Sequence, residues 1–583
     1  KADPQKAEPQ KADPQKADPQ KAEPQEEAKA EPKEAEMDFV HIPMDELRVK
    51  AGRFAPVQLH WNQDALTPKE TEMVKKLVEA AKQLDEIFWI QTAPQSLEWR
   101  NKLETLAKTN EDAAALLHYL KINYGPFGRL DAMKPFLGVD EKPKGANFYP
   151  TDMTKEEFDA WVAAHPEDAE SFKSNFTVIR REGDKLVAVP YSKAYGPQLQ
   201  KAHDLLKEAS ELAENESLKR YLSSRADALL SDDYFQSDMD WMDLDSSIEV
   251  TIGPYEVYED ELFGYKASFE AFITLKDPGE SEKLLTFEKW LETLERNLPI
   301  EDQYKNFGRG SSSPMFIVDE IFTAGDTRAG VQTIAFNLPN DERVREKKGS
   351  KKVMLRNVGD AKFEKILTPI AAKVLAPELQ GMLQPEAYSN HTLLHEISHG
   401  LGPGTIVVDG EKTTVNLALK NLYPHLEEAK ADTLGLYNAL FFIDEGVIQL
   451  QKVENGKLVK GEFLGKEEAK RAVVATFLAG IYRSTRFGVE EAHGKGNLLI
   501  FNYLREKGGF VYTESGKVTF DYDKTVAGVK ELGHDILMIE ALGDFEGCKE
   551  FIEKYTVMSP EMQASLDSLT DVPVDIEPIY TTP

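Results

Sequence analysis

The spacing of hydrophobic positions changes several times along the chain, and each change predicts a different kind of element. After Thr67-Pro68-Lys69-Glu70, which has the form of a capping box, apolar residues recur every three or four positions and predict a helix to about Phe88. From Ser247 apolar residues alternate through 248–258 and again through 269–273, which predicts strands. Helical spacing dominates again from Lys362. The pattern predicts an α+β protein.

Shorter elements are marked by turn residues. Residues 176–189 alternate around Glu182-Gly183-Asp184 and predict a hairpin. A second hairpin is predicted for residues 405–408 and 412–415, turned at Asp409-Gly410. Between the two, residues 284–298 have helical spacing.

The first 36 residues differ in composition from the rest. Residues 1–25 are five copies of KADPQ or KAEPQ, followed by an Ala/Glu/Lys/Pro run to Glu36. Proline at every fifth position prevents a continuous helix, and almost nothing apolar is present, so a disordered tether is predicted. Lys1 stands where an initiator Met is expected, which is compatible with a processed N-terminus and with either a cytoplasmic or an exported protein.

Charge and cysteine content restrict the classes of partner and site. The formal net charge of −31 repels polyanions, so nucleic acid is not an expected partner. The sequence has no run of 18 or more apolar residues, so it predicts no membrane-spanning helix. Cys548 is the only cysteine, which leaves histidine and carboxylate as the available ligands for a metal, and it is expected to be a packed residue.

The strongest chemical signal is the HExxH motif His395-Glu396-Ile-Ser-His399. On a helix, His395 and His399 lie on one face about 6 Å apart along the axis, where two imidazoles can close on one zinc ion. Glu396 lies beside that face and can act as the general base on water. His391, one turn earlier, is expected to be a neighbour of the site. The alternative is a chance occurrence of the motif in an acidic helix, where both histidines would be solvated or bonded to carboxylates.

A second motif supplies a third ligand. Glu428 and Asp432 in Leu426-Glu-Glu-Ala-Lys-Ala-Asp432 lie one helical turn apart, so Glu428 could bind zinc while Asp432 orients a ligating histidine. Such carboxylate pairs usually mark a solvated surface. Here the apolar run from Leu434 to Phe442 predicts a packed helix whose acids need partners.

These motifs resemble the dipeptidyl peptidase III zinc peptidases, including the bacterial and plant-type branch of zinc hydrolases associated with Nudix domains. The resemblance extends with gaps from about Asp232 to Tyr580, and the chain has a five-residue HExxH where the family usually has one residue more. It implies one Zn²⁺ per chain, with these roles: ligands His395, His399 and Glu428, base Glu396, and surrounding carboxylates Glu427 and Asp432.

The resemblance also implies a substrate site. Asn337 and Asn340 would hold the free amino end and backbone of a peptide, Tyr255 would bond the scissile carbonyl, and His493 would aid the transition state. From the residues alone, Tyr255 is better explained as a core aromatic of a strand, and Asn337 and Asn340 as turn residues. For His493, a place in a loop or at a helix start is equally plausible.

The resulting prediction is a two-lobed α+β metallopeptidase with a wide cleft. The predicted lower lobe, with a β core, comprises residues 37–273 and 321–366, and residues 572–583 are candidates to return to it; the helical zinc lobe comprises 274–320 and 367–571. The expected activity is zinc-dependent removal of dipeptides from the free N-terminus of oligopeptides, with Glu396 activating water. A zinc endopeptidase, another zinc hydrolase, and a noncatalytic protein with structural zinc remain alternatives, and the oligomeric state is open.

Overall fold

The computed structural model describes residues 37–308, 314–454 and 457–583. The tether predicted for residues 1–36 lies outside the described residues. No helix within the described ranges combines the length and apolar character that a bilayer-crossing segment needs.

The strands of the described residues fall into one larger sheet and several two-stranded pairs. Their bounds are β1 (Phe54–Leu59), β2 (Phe127–Gly128), β3 (Lys134–Pro135), β4 (Thr177–Glu182), β5 (Lys185–Pro190), β6 (Ile248–Pro254), β7 (Phe269–Lys276), β8 (Met315–Gly325), β9 (Ala335–Leu338), β10 (Lys351–Leu355), β11 (Thr405–Val408), β12 (Glu411–Thr414), β13 (Gln451–Glu454), β14 (Lys457–Phe463), β15 (Phe510–Tyr512), β16 (Val518–Phe520) and β17 (Asp575–Tyr580).

The larger sheet forms the core of one lobe. Its strand order is β6-β7-β8-β10-β9, with β10 parallel to β8 and the other neighbours antiparallel. Strands β6 and β7 are buried along almost their whole length, which is why they contain few exposed polar positions. Strand β9 is at one edge of the sheet, so one side of its backbone is open to a further strand.

Helices account for most of the remaining chain. Those before the metal motif are α1 (Met44–Ala51), α2 (Pro68–Thr92), α3 (Ser96–Leu106), α4 (Glu111–Asn123), α5 (Lys155–Ala164), α6 (Ala169–Lys173), α7 (Tyr191–Ala194), α8 (Gly196–Leu212), α9 (Glu216–Ser231), α10 (Phe235–Met242), α11 (Pro278–Lys289), α12 (Leu291–Asn297), α13 (Glu342–Lys348), α14 (Arg356–Lys362), α15 (Thr368–Val374) and α16 (Pro377–Gln380).

The helices from the metal motif onward build the second lobe. They are α17 (Pro385–His399), α18 (Val415–Leu419), α19 (Tyr423–Asp444), α20 (Lys466–Thr485), α21 (Ala492–Glu506), α22 (Tyr522–Leu542), α23 (Phe545–Tyr555) and α24 (Pro560–Asp567). Helix α19 is the centre of this lobe and packs against α17, α20, α21 and α22. Its central position explains why it is apolar on most of its circumference.

The end of the chain returns to its beginning. Strand β17 pairs in parallel with β1, from Phe54 opposite Asp575 to Leu59 opposite Tyr580. Strand β8 begins at Met315, a few residues before the predicted boundary at 320. The domain boundaries themselves stay a prediction.

Several predicted elements are confirmed, and one is wrong. Helix α2 begins after Thr67 with the full capping box, and both predicted hairpins are present. The strand predicted to continue through Tyr258 instead ends at Pro254. The Tyr255 amide and the Glu256 carbonyl still bond to Ser268, so the chain leaves the ladder only after them. The Asp260 carboxylate holds the turn that follows by accepting hydrogen bonds from the amides of Leu262 and Phe263.

Candidate metal centre

The HExxH helix is held close to the central helix of its lobe. Helix α17 begins with Pro385 in its first turn and ends at His399. A β-carbon at Gly435 of α19 would lie 3.2 Å from the His395 amide nitrogen and 3.1 Å from His391 Nε2. Glycine therefore permits the contact between α17 and α19, which brings the two halves of the predicted metal site together.

Three side chains converge on one point. The Nε2 atoms of His395 and His399 lie 3.1 Å apart. Glu428 Oε2 lies 3.4 Å from the first and 3.9 Å from the second. This oxygen is buried and has no hydrogen-bond partner among the described residues. Three potential ligand atoms within 4.8 Å of one another form a group that could hold a metal ion.

Each imidazole is oriented by a carboxylate on its far side. His395 Nδ1 donates to Asp432 Oδ1 at 2.7 Å, and His399 Nδ1 donates to Glu427 Oε1 at 2.8 Å. A carboxylate accepts only, so both Nδ1 atoms carry a proton, and in the neutral imidazoles both Nε2 atoms then present a lone pair. This arrangement of donors and lone pairs fits a bound cation.

The supporting carboxylates are themselves held. The second oxygen of Asp432 accepts a hydrogen bond of 2.8 Å from Asn497 Nδ2. Glu427 forms an ion pair of 3.0 Å with Lys430, which also lies 3.7 Å from the buried Glu540. These contacts extend the polar network around the metal group into the core of the lobe.

The charges of this network favour a cation at the group. Burial opposes a charged imidazole, but the carboxylates of Asp432 and Glu428 outweigh it and raise the pKa of His395. Burial also opposes ionisation of Asp432, yet the His395 imidazole lowers its pKa well below the usual range. A field that stabilises a protonated histidine at this position also stabilises a divalent ion.

Glu396 follows His395 on the metal-motif helix, and its carboxylate pairs with a cation from the sheet. Its Oε2 accepts a hydrogen bond of 2.7 Å from Lys352 Nζ. Burial raises the pKa of Glu396, but the Lys352 ammonium outweighs it and the net shift is downward. Lys352 belongs to β10 of the sheet, so this ion pair connects the sheet to the metal-motif helix.

The two remaining histidines near the group differ. His493, in the first turn of α21, places Nε2 3.2 Å from Glu428 Oε2 and Nδ1 2.8 Å from Glu491. The Glu491 hydrogen bond raises its pKa, and its side chain is 53% exposed, so it can reach a ligand. His391 instead has Nε2 3.1 Å from the Asp432 carbonyl oxygen and packs on Phe477.

The structure separates the predicted substrate residues into two groups. Asn337 is exposed on β9 and pairs with Lys352 across the ladder, so both side chains lie on the face toward Glu396. Asn340 is exposed three residues later, and its Nδ2 donates to the Tyr255 carbonyl oxygen at 3.1 Å. Tyr255 does not line the cavity into which the metal group opens.

Tyr255 is buried in the core of the sheet lobe. Its ring centroid lies 5.7 Å from the Arg225 guanidinium carbon, and burial raises its pKa well above the usual value. Tyr258, three residues later, is 80% exposed. If a phenol from this segment meets substrate, the accessible one belongs to Tyr258.

Sequence reasoning also missed a group of carboxylates beside Asn340. Glu256 contacts Asn340, and its charge acts on the buried carboxyls of Glu270 and Asp326. Burial and the neighbouring acids raise the pKa of Asp326 to about 7. The three residues are separated by up to 70 positions, so no local pattern joins them.

The metal group opens into a cavity of about 480 Å³, within the size range of ligand pockets. Its walls come from both parts of the fold: the segment from Val331 to Ala335, the metal-motif helix, and the end of α20 with Arg483. The cavity therefore lies at the junction of sheet and helices, where a predicted cleft is expected.

Comparison with known proteins now decides the family. The model of peptidase family M49 matches residues 143–438. The chain is 36% identical over 587 aligned positions to Nudix hydrolase 3 of Arabidopsis thaliana, covering 92% of this chain and 74% of that protein. The chain belongs to peptidase family M49. The resemblance inferred from the motifs is therefore confirmed.

Two solved structures of the same family share the fold. Dipeptidyl peptidase III from Caldithrix abyssi is 50% identical, with a TM-score of 0.85 over 92% of this chain and 99% of that one. The enzyme from Corallococcus sp. strain EGB is 39% identical, with a TM-score of 0.74 over 93% and 98%. The predicted two-lobed α+β fold and the enzyme class, a metallopeptidase of the dipeptidyl-peptidase type, are confirmed.

Proposed function

We propose that this M49 peptidase is a zinc-dependent exopeptidase that releases dipeptides from the free N-terminus of oligopeptides. One observation carries the proposal: two imidazole lone pairs 3.1 Å apart face a buried carboxylate oxygen without a hydrogen-bond partner among the described residues, and Glu396 lies next to them. This donor set is the one that zinc peptidases use.

His395, His399 and Glu428 would hold one Zn²⁺ per chain. Three protein ligands leave a fourth position open, which distinguishes a catalytic site from a closed structural one. A zinc ion there would polarise the scissile carbonyl and make water a stronger nucleophile. Asp432 and Glu427 would keep the two imidazoles in the tautomer that binds metal.

Glu396 is assigned the proton transfers, and His493 is assigned the stabilisation of the oxyanion. Glu396 would take a proton from the attacking water and deliver it to the leaving amine. Lys352 would keep this carboxylate ionised and in place between turnovers. The predicted role of His493 in stabilising the developing negative charge is supported by its raised pKa and its exposed ring.

An extended peptide is proposed to bind along the open edge of β9, as an added strand. Asn337 lies opposite Lys352, and so close to Glu396, while Asn340 lies three residues beyond it. At about 3.3 Å per extended residue, this separation is at most about 10 Å, which corresponds to two or three residues. With the free amine at Asn340, the bond near Glu396 would release a dipeptide.

The carboxylates beside Asn340 support recognition of a substrate ammonium. Glu256, Glu270 and Asp326 lie together beside Asn340, where the amine would lie, and burial raises the pKa of each carboxyl. A substrate ammonium there would favour their charged forms. For the hydrogen bond to the scissile carbonyl, predicted for Tyr255, exposure favours Tyr258 as the donor. An N-blocked peptide would lose the ammonium contacts and bind more weakly.

Product analysis tests this function. A mixed pool of peptides is incubated with zinc-loaded protein, and products are identified by mass spectrometry. Dipeptides from free amino ends are expected, with none from N-acetylated copies. Glu396→Gln should abolish turnover while one zinc per chain is retained. Internal cleavage of blocked peptides would instead indicate an endopeptidase, and no cleavage with zinc bound would indicate a structural site.

A further inference from the structure

Arg483, in the wall of the cavity beside the metal group, is a cation that forms no ion pair with any described residue. It lies two residues before the end of α20. The Nε atom of Arg483 is buried and has no hydrogen-bond partner among the described residues. By contrast, the other cation of this wall, Lys362, forms a 2.9 Å ion pair with Asp575.

The surroundings of Arg483 increase the positive charge. Burial lowers the pKa of both Lys362 and Arg486. The positive charge of Arg483 lies close enough to lower both values further. Arg486 donates to the carbonyl oxygens of Val572 and Pro573, so it is not neutralised by a carboxylate there.

This local excess of positive charge is unusual for the chain as a whole, whose net charge is −31. A partly buried guanidinium is costly to leave unpaired, and its planar fork matches a carboxylate by two parallel hydrogen bonds. The carboxylates lining the cavity do not supply that partner: Asp432 is bound to His395, Glu396 to Lys352, and Glu491 to His493.

The direction of the peptide places one end of it in this cavity. The amine is proposed to lie at Asn340, after the end of β9, and the scissile bond near Glu396. The residues that precede β9, from Val331 onward, form the cavity wall that faces the α20 end with Arg483. The part of the peptide that follows the scissile bond would therefore extend toward Arg483.

We infer that Arg483 binds a carboxylate on the part of the substrate that follows the scissile bond. The carboxylate is either the C-terminus of a short peptide or an acidic side chain near the cleavage point. The aromatic rings of Phe477 and Phe487 line the same cavity and would contact the apolar part of that segment. This inference rests on the proposed function, because it uses the proposed peptide direction.

The test measures peptide binding without turnover. Zinc-loaded Glu396→Gln protein is titrated calorimetrically with two matched series: tetrapeptides with a free or amidated C-terminus, and amidated peptides with Glu or Gln as the third residue. In at least one series the charged member should bind about tenfold more tightly, as expected for a charge-assisted pair. The series that shows the preference identifies the source of the carboxylate.

Substitution of Arg483 then assigns the preference. Arg483→Gln should remove it by weakening only the charged member, Arg483→Lys should retain part of it, and Arg471→Gln, on the same helix but exposed, should leave it unchanged. In the otherwise wild-type enzyme, Arg483→Gln should raise KM for the charged peptide and leave kcat nearly unchanged.

The outcomes separate the two proposals. The inference is overturned if the Glu396→Gln protein with Arg483 intact binds the charged and neutral peptides equally in both series. This result does not depend on whether an Arg483 variant folds. A preference that survives in Arg483→Gln also overturns it. Failure of the wild-type enzyme to release dipeptides would instead overturn the proposed function. The binding titrations would still decide whether Arg483 recognises a carboxylate.

Discussion

Replacing Asp432 with Asn tests how the protein prepares its metal ligands. Asp432 accepts hydrogen bonds from His395 Nδ1 at 2.7 Å and from Asn497 Nδ2 at 2.8 Å. An asparagine in the same place has one acceptor oxygen and one donor group, so it can satisfy only one of these two donors. Either the orientation of His395 is lost or a donor faces Asn497 without an acceptor.

The expected magnitude follows from this change. Loss of such a support typically costs 10- to 100-fold in metal affinity, or about 1.4 to 2.7 kcal/mol. At zinc concentrations far above both dissociation constants, the same free energy is lost from the stabilisation that zinc gives the folded state. The Asp432→Asn protein should therefore bind zinc 10- to 100-fold more weakly and gain less thermal stability from it.

Competition with a chelator of known affinity measures the zinc dissociation constant, and Glu540→Gln is the control. Glu540 is a buried carboxyl of the same polar network, and burial raises its pKa to about 8, so it is mostly protonated at neutral pH and glutamine resembles it. Its substitution should change zinc affinity little. Unchanged affinity in Asp432→Asn would refute the reasoning that Asp432 fixes the tautomer of His395.

Three further predictions follow from other contacts. Gly435→Ala should lower both zinc content and the free energy of unfolding, because its β-carbon would press on the His395 amide. By contrast, Gly359→Ala, whose β-carbon would meet only Ile334 Cγ2 at an ordinary 3.9 Å, should stabilise by up to about 1 kcal/mol in chemical denaturation. Tyr258→Phe should reduce kcat at least about tenfold if its phenol meets the substrate, while Tyr255→Phe should leave kcat unchanged. Since Asp326 is ionised only above about pH 7, kcat/KM for free-amine peptides should fall below that pH, and Asp326→Asn should remove this inflection; an identical pH profile in the variant would contradict the assignment.

The elements with a strong local signal were predictable from the sequence. The capping box fixed the start of α2 at Pro68, and Asp409-Gly410 fixed the hairpin after the metal motif. The metal group was predictable for the same reason. HExxH and Glu428 to Asp432 each lie on a single helix, so helical spacing alone places their side chains on one face.

Residues that meet only through the tertiary fold gave no such signal. Lys352 belongs to a basic run that resembles a solvated surface, yet it reaches Glu396 across the junction of sheet and helices. Arg483 lies in a regular helix and becomes distinctive only because none of the described carboxylates forms an ion pair with it. Asn497 was the exception, since it lies one turn after His493 on α21 and a search for that spacing would have found it.

The position of the tyrosine shows a limit of pattern reading. Alternation continued past Pro254 in the sequence, so Tyr255 and Tyr258 both appeared as aromatics of one strand. The strand ends at Pro254 and the chain enters a turn held by Asp260, with Tyr255 buried against Arg225 and Tyr258 exposed. Periodicity alone could not decide which of the two phenols is accessible.

The most direct test of the account is to locate the metal. Crystals of the zinc-loaded protein, measured on both sides of the zinc absorption edge, should give one anomalous peak per chain, about 2.0 to 2.2 Å from the Nε2 atoms of His395 and His399 and from a carboxylate oxygen of Glu428. Absence of a peak there, or a peak at other residues in fully loaded protein, would contradict the central claim.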